Sequence, residues 1–320
     1  MTLRIGLIGA GSMGSLHARV LSGADATELA WIADPDRAAG ERLAERFSTK
    51  WLPEPEIAGI DAAVIAAPTP VHHAHAMAVI EAGLPLLVEK PIADTLARVK
   101  EIIEASGAHG TVLMCGLLER FNPAVRTANE IARQPLHVTT VRHSPYAERI
   151  RTGVASDLLI HDIDVVVRLM GEPPAAVTGH YGYFEPRSSG SSEDVAEATL
   201  RFSAGQIASL SVSRIAQHKI RSLTIGELGR VIEVDLLRQS ITIYRHVQES
   251  GFDEDAGYMQ QTIIEIPVIR HPGEPLQLQL AHFVDLIEGR ANADTERATL
   301  LLPHSLIDQV GDSARNVDPQ

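Results

Sequence analysis

Apolar runs alternate with amphipathic stretches through the first 119 residues of the chain. The runs lack polar alternation, which is typical of strands that are buried on both faces of a parallel sheet. The stretches between them carry apolar residues at helical spacing. We therefore predict an α/β domain with a doubly wound, nucleotide-binding sheet over residues 1–119. The predicted strands are 3–8, 28–33, 61–67, 84–88 and 111–115.

The pattern changes near residue 120, where strand-like segments begin to dominate. Several of them alternate apolar and polar residues, as residues 208–212 do, and this indicates a sheet with one polar face. We predict an α+β domain over residues 120–320, built on a large, mostly antiparallel open sheet with few helices. Its free face is a candidate surface for contact between subunits. The predicted strands are 136–144, 175–184, 195–203, 206–215, 219–226, 230–236, 240–246 and 262–269.

The composition narrows the class of protein. The chain has 320 residues and a formal net charge of −13, which argues against non-specific nucleic-acid binding. No apolar run approaches the length of a membrane span, and the apolar run at the N-terminus is too short for a signal peptide. Cys115 is the single cysteine, so an internal disulfide is excluded. We expect a cytoplasmic enzyme or binding protein whose partner is a small molecule, with no nucleic acid and no membrane.

The first predicted strand runs into a glycine-rich turn, Gly9-Ala10-Gly11-Ser12-Met13-Gly14. A G-x-G-x-x-G sequence between a strand and a helix is typical of dinucleotide binding. Gly9 permits the tight turn, Gly11 lets a pyrophosphate approach the backbone, and Gly14 lets the helix pack closely. The phosphate charge would lie at the helix N-terminus. The motif therefore predicts a dinucleotide cofactor.

The second predicted strand ends at Asp34, about 20 residues after Gly14, where this motif expects an acidic residue. A carboxylate there accepts a hydrogen bond from the ribose 2′-OH and repels a 2′-phosphate, so NAD is favoured over NADP. Arg37 lies close by in sequence, where it could stack on adenine or tolerate NADP. A structural alternative for Asp34 is the N-cap of a helix that begins at Pro35, and the two roles are compatible.

Three histidines, His72, His73 and His75, follow Pro68 and Thr69 in a predicted helix. A metal site is disfavoured here because neighbouring residues do not share a helical face and an i,i+4 pair of ligands is missing. His72, in the first turn, is instead a candidate for the nicotinamide end of the cofactor.

The strand at 84–88 ends in Glu89-Lys90-Pro91. Lys90 is therefore predicted at the carboxyl end of a parallel strand, where open α/β sheets bind their ligands. Pro91 disfavours the helical conformation for Lys90, so we expect the lysine to be extended. The alternative is an ordinary surface lysine at a strand end.

A predicted helix at 156–166 carries Asp157, His161 and Asp164 on one face. Polar residues on a helix that is otherwise so apolar must be solvated or functional. The functional interpretation is an acid–base site, because histidine is suited to accepting a proton near neutral pH. One alternative is an N-terminal cap by Asp157 with a buried, hydrogen-bonded His161. Another is a divalent metal, which we do not predict because the face offers no second histidine or cysteine.

The glycine turn, the Glu-Lys-Pro segment at 89–91 and the pattern Asp157-x-x-x-His161-x-x-Asp164 together resemble one family. It is the family of glucose-fructose oxidoreductase, inositol dehydrogenase and MocA (Gfo/Idh/MocA). The resemblance covers nearly the whole chain. It implies a Rossmann domain followed by an α/β domain with an open sheet, through which the chain would form a homodimer or homotetramer.

The resemblance also implies an activity, the NAD(P)-dependent oxidation of a sugar or cyclitol hydroxyl. Lys90, Asp157 and His161 match the catalytic positions of the family. A finer similarity is to the branch that includes UDP-N-acetylglucosamine 3-dehydrogenases. The stretches that carry it are 88–95, 119–125 and 148–150.

The implied oxidation needs a base at the hydroxyl oxygen. We assign His161 as that base, Lys90 as a hydrogen-bond donor to the same oxygen, and Asp157 as an orienting or relaying residue. Asp164 is a candidate for holding the substrate or His161. Candidate partners for the diphosphate of a nucleotide sugar are Arg120, Arg149 and Arg151. The predicted cofactor-binding residues are Gly9, Gly11, Ser12, Met13, Gly14, Asp34, Arg37, Pro68, Thr69, His72, Glu89 and Lys90.

Two other functions stay open at this point. One is a dehydrogenase of inositol or a free sugar. The other lies outside enzymes, a non-catalytic NAD-binding sensor or structural oligomer, because a fold by itself does not establish an activity.

Overall fold

The computed structural model describes residues 2–147, 152–188, 192–249 and 259–317. The chain forms two compact units, of which the first contains Met1–Leu118 and Glu274–Ser305. The second contains Glu119–Gly273 and Leu306–Gln320. The assignment of a cofactor role to residues 1–119, and of a substrate and assembly role to 120–320, stays a prediction.

The first unit is built on a six-stranded parallel sheet with the order β3-β2-β1-β4-β5-β6. Its central strands are apolar on both faces, and Leu7 of the first strand lies between Ile32 and Val64 of its two neighbours. This order is that of a doubly wound dinucleotide-binding sheet, which confirms the predicted fold class. The strands are β1 (Leu3–Ile8), β2 (Thr27–Ala33), β3 (Lys50–Leu52), β4 (Ala62–Ile65), β5 (Leu86–Val88) and β6 (Leu113–Cys115). The helices that alternate with them are α1 (Ser12–Gly23), α2 (Arg37–Arg46), α3 (Thr69–Glu81) and α4 (Leu96–Ala108).

The sequence pattern did not predict β3. This strand has three residues at the edge of the sheet, begins with the exposed Lys50, and pairs with β2 alone. Such a short strand leaves no periodic pattern to detect.

The second unit contains an eight-stranded sheet with the order β14-β13-β12-β11-β7-β10-β9-β8. Every neighbouring pair is antiparallel except β7 and β10, which confirms the predicted mostly antiparallel sheet. The strands are β7 (His137–His143), β8 (Ala176–Gly182), β9 (Val195–Arg201), β10 (Ile207–Ser213), β11 (Ile220–Glu227), β12 (Arg230–Asp235), β13 (Ser240–Glu249) and β14 (Met259–Glu265).

The last strand differs from its predicted bounds of 262–269, because it ends at Glu265. Pro267 follows shortly afterwards, and a proline cannot donate a backbone hydrogen bond to a sheet. On the strand at 207–213, Ala208, Leu210 and Val212 are buried, as the alternation predicted.

Two helices precede or interrupt these strands, α5 (Pro123–Ile131) and α6 (Ile160–Met170). The predicted helix at 156–166 is not regular, because residues Ala155–Leu159 form a wider π-helical turn. Hydrogen bonds in such a turn join residues five apart, so the regular spacing used to place Asp157 on the face of His161 does not hold here.

Three further helices close the chain and were not predicted from the sequence. They are α7 (Pro275–Ile287), α8 (Ala293–Ala298) and α9 (Leu301–Val317). In the first unit, α7 packs on α1, and α8 packs on β6 and α4. Among the described residues, none of the helices combines the length and the apolar character needed to cross a bilayer.

Candidate active site

The glycine turn follows β1 and gives each of its glycines a different geometry. Gly9 has a φ of +106°, and a Cβ on it would lie 2.6 Å from the carbonyl oxygen of Ala66. A Cβ on Gly14 would lie 2.0 Å from the carbonyl oxygen of Gly9. A Cβ on Gly11 would meet nothing within 4 Å. Gly9 and Gly14 therefore serve the fold of the turn, whereas the space at Gly11 is open for a ligand.

The open space lies at the start of α1. Gly11 is the N-cap residue of this helix, has an extended conformation and provides no side-chain cap, and Ser12 and Met13 are the first two helical residues. Backbone N–H groups in a first helical turn lack partners within the helix and favour anions. The turn therefore fits the pyrophosphate of a dinucleotide in shape and in charge.

Asp34 follows β2 and is held by two backbone N–H groups. One carboxylate oxygen accepts from the N–H of Ala10 at 2.7 Å, and the other accepts from the N–H of Asp36 at 2.8 Å. The alternative role of Asp34 as a helix N-cap is wrong, because Asp36 caps α2 by accepting from the N–H of Ala39. The fixed carboxylate beside the glycine turn is suited to a ribose hydroxyl and repels a 2′-phosphate.

Arg37 lies in the first turn of α2, and its side chain is 74% exposed. Its guanidinium donates to Glu41 at 2.9 Å and lies over the ring of Trp51, 5.7 Å from the ring centroid. A contact of Arg37 with the cofactor stays a prediction.

His72 lies in α3, which begins at Thr69 with Pro68 as its N-cap residue. The ring is 1% exposed. Its Nδ1 lies 2.9 Å from the carbonyl oxygen of Pro91 and its Nε2 lies 2.7 Å from that of Ala67. His72 therefore links the segment after β4 to the segment after β5, and its direct contact with a cofactor stays a prediction.

The neighbouring histidines have separate surroundings. His73 pairs with Glu101 at 2.8 Å on the surface, and burial together with the charge of His72 lowers the pKa of His75. Within the described parts of the chain, no group of three or more histidine, cysteine, aspartate or glutamate side chains could hold a metal ion.

Glu89 and Lys90 follow β5 directly. The carboxylate of Glu89 is buried and contacts Nε2 of His17 at 2.8 Å. It also lies against Gly116, on which a Cβ would come within 2.6 Å of the carboxylate. The backbone N–H of Lys90 donates to the same carboxylate at 3.3 Å, and the Lys90–Pro91 bond is cis. Lys90 itself is half-buried, and its backbone is hydrogen-bonded to a buried carboxylate where the chain leaves the sheet.

In the second unit, Asp157 lies in the π-helical turn and its side chain is 19% exposed. Its carboxylate accepts from the guanidinium of Arg214 at 3.0 Å. Arg214 is itself buried and also donates to the carbonyl oxygen of Thr152 at 2.8 Å. The buried arginine holds Asp157 as an oriented carboxylate at the start of the helix that carries His161.

His161 is the second residue of α6 and is half-buried. Asp164, one turn later, is buried and accepts two hydrogen bonds from Arg120, at 2.6 and 2.8 Å. The structure therefore brings Arg120 and Asp164 together as partners of each other. Direct contact of either residue with a substrate stays a prediction.

A second buried arginine, Arg142 on β7, binds two carboxylates. It donates to Asp162 of α6 at 2.7 Å and to Glu119 at 2.8 Å. Burial raises the pKa of Asp162 against the opposing charge of Arg142. For Glu119, burial acts to raise the pKa, but the charges and hydrogen bonds of Arg142, with the charge of Arg221, lower it. The acidic residues of this helix and of the turn before it are thus neutralised by arginines from other elements.

The sequence did not indicate several residues of these arrangements, among them His17, Arg142, Arg214 and His304. His304 contacts the segment after Lys90, with its Nε2 accepting from the N–H of Ile92 at 3.1 Å. A sequence signal exists for His17, which lies on the buried face of α1. For the others the signal is absent, because their partners lie far away in the chain.

Arg149 and Arg151, the remaining candidates for a diphosphate, lie outside the described residues.

Two family models match the chain. Residues 3–117 match an oxidoreductase family with an NAD-binding Rossmann fold. Residues 97–232 match the GFO/IDH/MocA C-terminal domain. The cofactor class predicted from the glycine turn and Asp34 is thereby confirmed as NAD.

Individual proteins are similar over most of the chain. Inositol 2-dehydrogenase 1 of Saccharopolyspora erythraea is 30% identical over 303 residues, which cover 89% of this chain and 86% of that protein. UDP-N-acetylglucosamine 3-dehydrogenase of Acidithiobacillus ferrooxidans is 28% identical over 254 residues, which cover 76% of this chain and 77% of that protein. A solved structure of the latter enzyme has a TM-score of 0.84 at 23% identity, covering 99% of this chain and 98% of that one, and shows the shared fold.

Proposed function

Because the chain belongs to the Gfo/Idh/MocA oxidoreductase family, we propose that it oxidises a ring hydroxyl of a sugar or nucleotide sugar with NAD. The observation that carries this proposal is the position of Lys90. It follows β5 at the carboxyl edge of an NAD-binding sheet, the edge that also bears the glycine turn. That edge is where ligands bind in open α/β sheets.

Oxidation of an alcohol requires removal of the hydroxyl proton and of a hydride. NAD, when bound, supplies the hydride acceptor. In the proposal, the imidazole of His161 takes the proton, and the ammonium group of Lys90 donates a hydrogen bond to the hydroxyl oxygen as negative charge develops there. Asp157, held by Arg214, orients His161 or relays its proton. Asp164 and Arg120 support the helix of His161 through their buried ion pair, and we keep both as candidates for substrate contact.

The cofactor is proposed to be held by the first unit. The open space at Gly11 receives the pyrophosphate and the carboxylate of Asp34 receives the ribose hydroxyl. We also propose that the cofactor contacts four further residues at the same edge of the sheet, Ser12, Met13, Pro68 and Thr69. The other proposed cofactor contacts are Arg37, His72 and Glu89.

The substrate class has two candidates. A UDP-N-acetylglucosamine 3-dehydrogenase-like activity is favoured by the three sequence stretches noted above and by the similar Acidithiobacillus enzyme. A free-sugar or inositol dehydrogenase is favoured by the similar Saccharopolyspora enzyme. In the first case Arg149 and Arg151 are proposed to bind the diphosphate, and Arg149→Ala should then raise the KM for a UDP-sugar far more than for a free sugar.

The test is NADH formation with a panel of UDP-N-acetylglucosamine, its uronic acid, myo-inositol, glucose and other free sugars. Activity with a UDP-sugar alone supports the first candidate, and activity with inositol or a free sugar supports the second. Lys90→Ala should keep the affinity for NAD and lose turnover by a factor of about 100 or more. If NAD binds and none of these compounds is oxidised, the non-catalytic sensor takes the place of the enzyme proposal.

Assembly and location are parts of the same proposal. We propose a cytoplasmic homodimer or homotetramer that forms through the open sheet of the second unit. Val231 on β12 and Ile264 on β14 both pair with Tyr244 of β13, so they lie on one face of the sheet. These two apolar side chains are 36% and 59% exposed, which supports a covered surface there. Sedimentation equilibrium measures the oligomeric state, and replacement of both residues by threonine should shift it toward monomer.

A further inference from the structure

The peptide unit that joins Pro91 and Ile92 is hydrogen-bonded to a histidine on each side. Its carbonyl oxygen lies 2.9 Å from Nδ1 of His72, which belongs to α3. Its N–H donates to Nε2 of His304, which belongs to α9, at 3.1 Å. We call His72, His304 and this peptide unit the peptide clamp. The clamped peptide begins one residue after Lys90.

The ring of His304 has a defined protonation pattern. Its Nδ1 lies 2.7 Å from the carbonyl oxygen of Leu300, which can only accept a hydrogen bond. Nδ1 therefore carries the proton, and Nε2 keeps the lone pair that accepts from Ile92. The clamp thus requires His304 to be the neutral Nδ1–H tautomer.

The ring of His72 faces a carbonyl oxygen at each nitrogen, that of Pro91 at Nδ1 and that of Ala67 at Nε2. A carbonyl oxygen can only accept, so a neutral ring donates to one of the two and a protonated ring donates to both. The clamp requires a proton on Nδ1 of His72. With that proton, the two histidines act on one peptide in complementary ways, His72 as a donor to its oxygen and His304 as an acceptor from its nitrogen.

The residue before Lys90 is fixed as well. Glu89 is buried against His17 of α1, and its carboxylate also accepts from the N–H of Lys90. The lysine therefore has a fixed neighbour before it and a clamped peptide after it. The three histidines, His17, His72 and His304, are residues of the first unit and lie on three separate helices.

We propose that His72 and His304 are positioning residues for Lys90, which act by holding the Pro91–Ile92 peptide. This inference rests on the catalytic role proposed for Lys90. A catalytic group must be held closely, because a small misplacement of a reacting group costs a large factor in rate. Neither histidine needs to touch the substrate for this role, and both rings are buried.

The test uses amides that replace one ring nitrogen each. The amide of asparagine can take the place of Nδ1, and the amide of glutamine can take the place of Nε2. His72→Asn therefore keeps the donor to Pro91 and His72→Gln loses it. At the other position the order reverses, since His304→Gln keeps an acceptor for Ile92 and His304→Asn loses it. His73→Gln is the matched control, because His73 lies in the same helix and pairs with Glu101 at the surface.

We expect His72→Gln and His304→Asn to lower kcat about tenfold or more, with the KM of the substrate changing little. His304→Gln and the control should stay near the wild type, and His72→Asn should keep a higher kcat than His72→Gln. A loss of kcat that is equal for asparagine and glutamine at each position, and that follows the loss of Tm, would show that the rings only fill space and would overturn the proposal.

A second measurement does not depend on activity. The lysines of the chain are Lys50, Lys90, Lys100 and Lys219, so a ¹³C-methylated lysine spectrum is sparse and Lys90→Ala identifies the Lys90 signal. The chemical shift of the Lys90 signal should change in His72→Gln and His304→Asn. It should stay the same in His72→Asn, His304→Gln and the control His73→Gln. If the protein oxidises no sugar, the function proposal fails while this spectrum still decides on the clamp.

A third measurement needs no variant and covers the case in which the substitutions prevent folding. In wild-type protein with ¹⁵N-labelled histidine, the ring shifts of His304 should show the neutral Nδ1–H tautomer. An Nε2–H tautomer or a charged ring leaves no acceptor for Ile92 and overturns the proposal.

Discussion

The guanidinium of Arg120 and the carboxylate of Asp164 form two hydrogen bonds, of 2.6 and 2.8 Å, and both side chains are only 3% exposed. Both residues are candidates for substrate contact, and in the structure each is a partner of the other. A buried pair of this kind balances two charges that would each be costly to leave alone.

The first prediction concerns this ion pair. Arg120→Met or Asp164→Leu alone should lower the free energy of unfolding by about 3–5 kcal/mol, because each leaves an unpaired buried charge. The double variant should recover most of that loss, since it removes both charges. Urea unfolding of the wild type, the two single variants and the double variant measures the coupling free energy between the two residues. Additive losses would contradict the interpretation.

The second prediction separates two glycines of the same turn. Gly14→Ala should lower the free energy of unfolding by more than about 2 kcal/mol, because the new Cβ collides with the backbone of Gly9. Gly11→Ala should lower it by less, about 0.5–1 kcal/mol, because its Cβ would meet nothing in the protein and only the N-cap preference for glycine over alanine is lost. The affinity of Gly11→Ala for NAD should nonetheless fall about tenfold, since the pyrophosphate needs that space. Thermal unfolding measures the stability of the two variants, and NAD titration measures their affinity for the cofactor. Equal unfolding curves for the two variants would contradict the different roles assigned to Gly11 and Gly14.

The third prediction concerns the choice of cofactor. Asp34→Asn keeps the size of the side chain but removes the charge that repels a 2′-phosphate. The ratio of kcat/KM for NAD over that for NADP should fall roughly 10–100-fold, the range expected for the loss of a charged hydrogen bond. Steady-state assays with both cofactors measure the ratio. Arg37→Gln is the comparison, and a change of the ratio in that variant alone would move the role from Asp34 to Arg37.

The fourth prediction is a pH dependence of stability at Glu227. Burial acts to raise the pKa of this carboxyl group, but the N–H groups of Arg133 and Gln134 and the guanidinium of Arg230 lower it below the ordinary value of 4.5. The folded state therefore binds the proton less readily than the unfolded state. The stabilisation by Glu227 is fully present above the ordinary value and is lost as the pH falls through the lowered pKa.

Glu227→Gln tests this sign. The variant should be less stable than the wild type near pH 7, and the difference should shrink in acid, where the wild type also becomes neutral at this position. Guanidinium unfolding at several pH values measures the difference. A difference that stays constant down to the most acidic pH at which the protein folds would show that the charge of Glu227 is not the cause.

The sequence was most informative where function depends on local geometry. The strand, the glycines and the acid at position 34 follow one another closely, so their roles in a dinucleotide-binding turn could be predicted without a structure. Lys90 could be placed at the end of its strand for the same reason. The alternating strands of the second sheet were also visible, because burial of one sheet face imposes a period of two.

The helix of His161 shows how a local prediction fails. Regular spacing placed Asp157, His161 and Asp164 on one face, but a π-helical turn changes the spacing before the helix begins. The acidic side chains then find their partners in Arg214 and Arg120, which belong to other elements. No periodicity within the helix could show those partners.

The fold class, the cofactor motif and the position of Lys90 could be predicted from the sequence, since each depends on residues that are near one another in the chain. The groups that hold Lys90 could be identified only in the folded protein. His304 contacts Ile92 across 212 residues of sequence, and His17 contacts Glu89 across 72. Contacts at such separations form only when the helices pack around the sheet, because burial in the core then requires each polar group to find a partner.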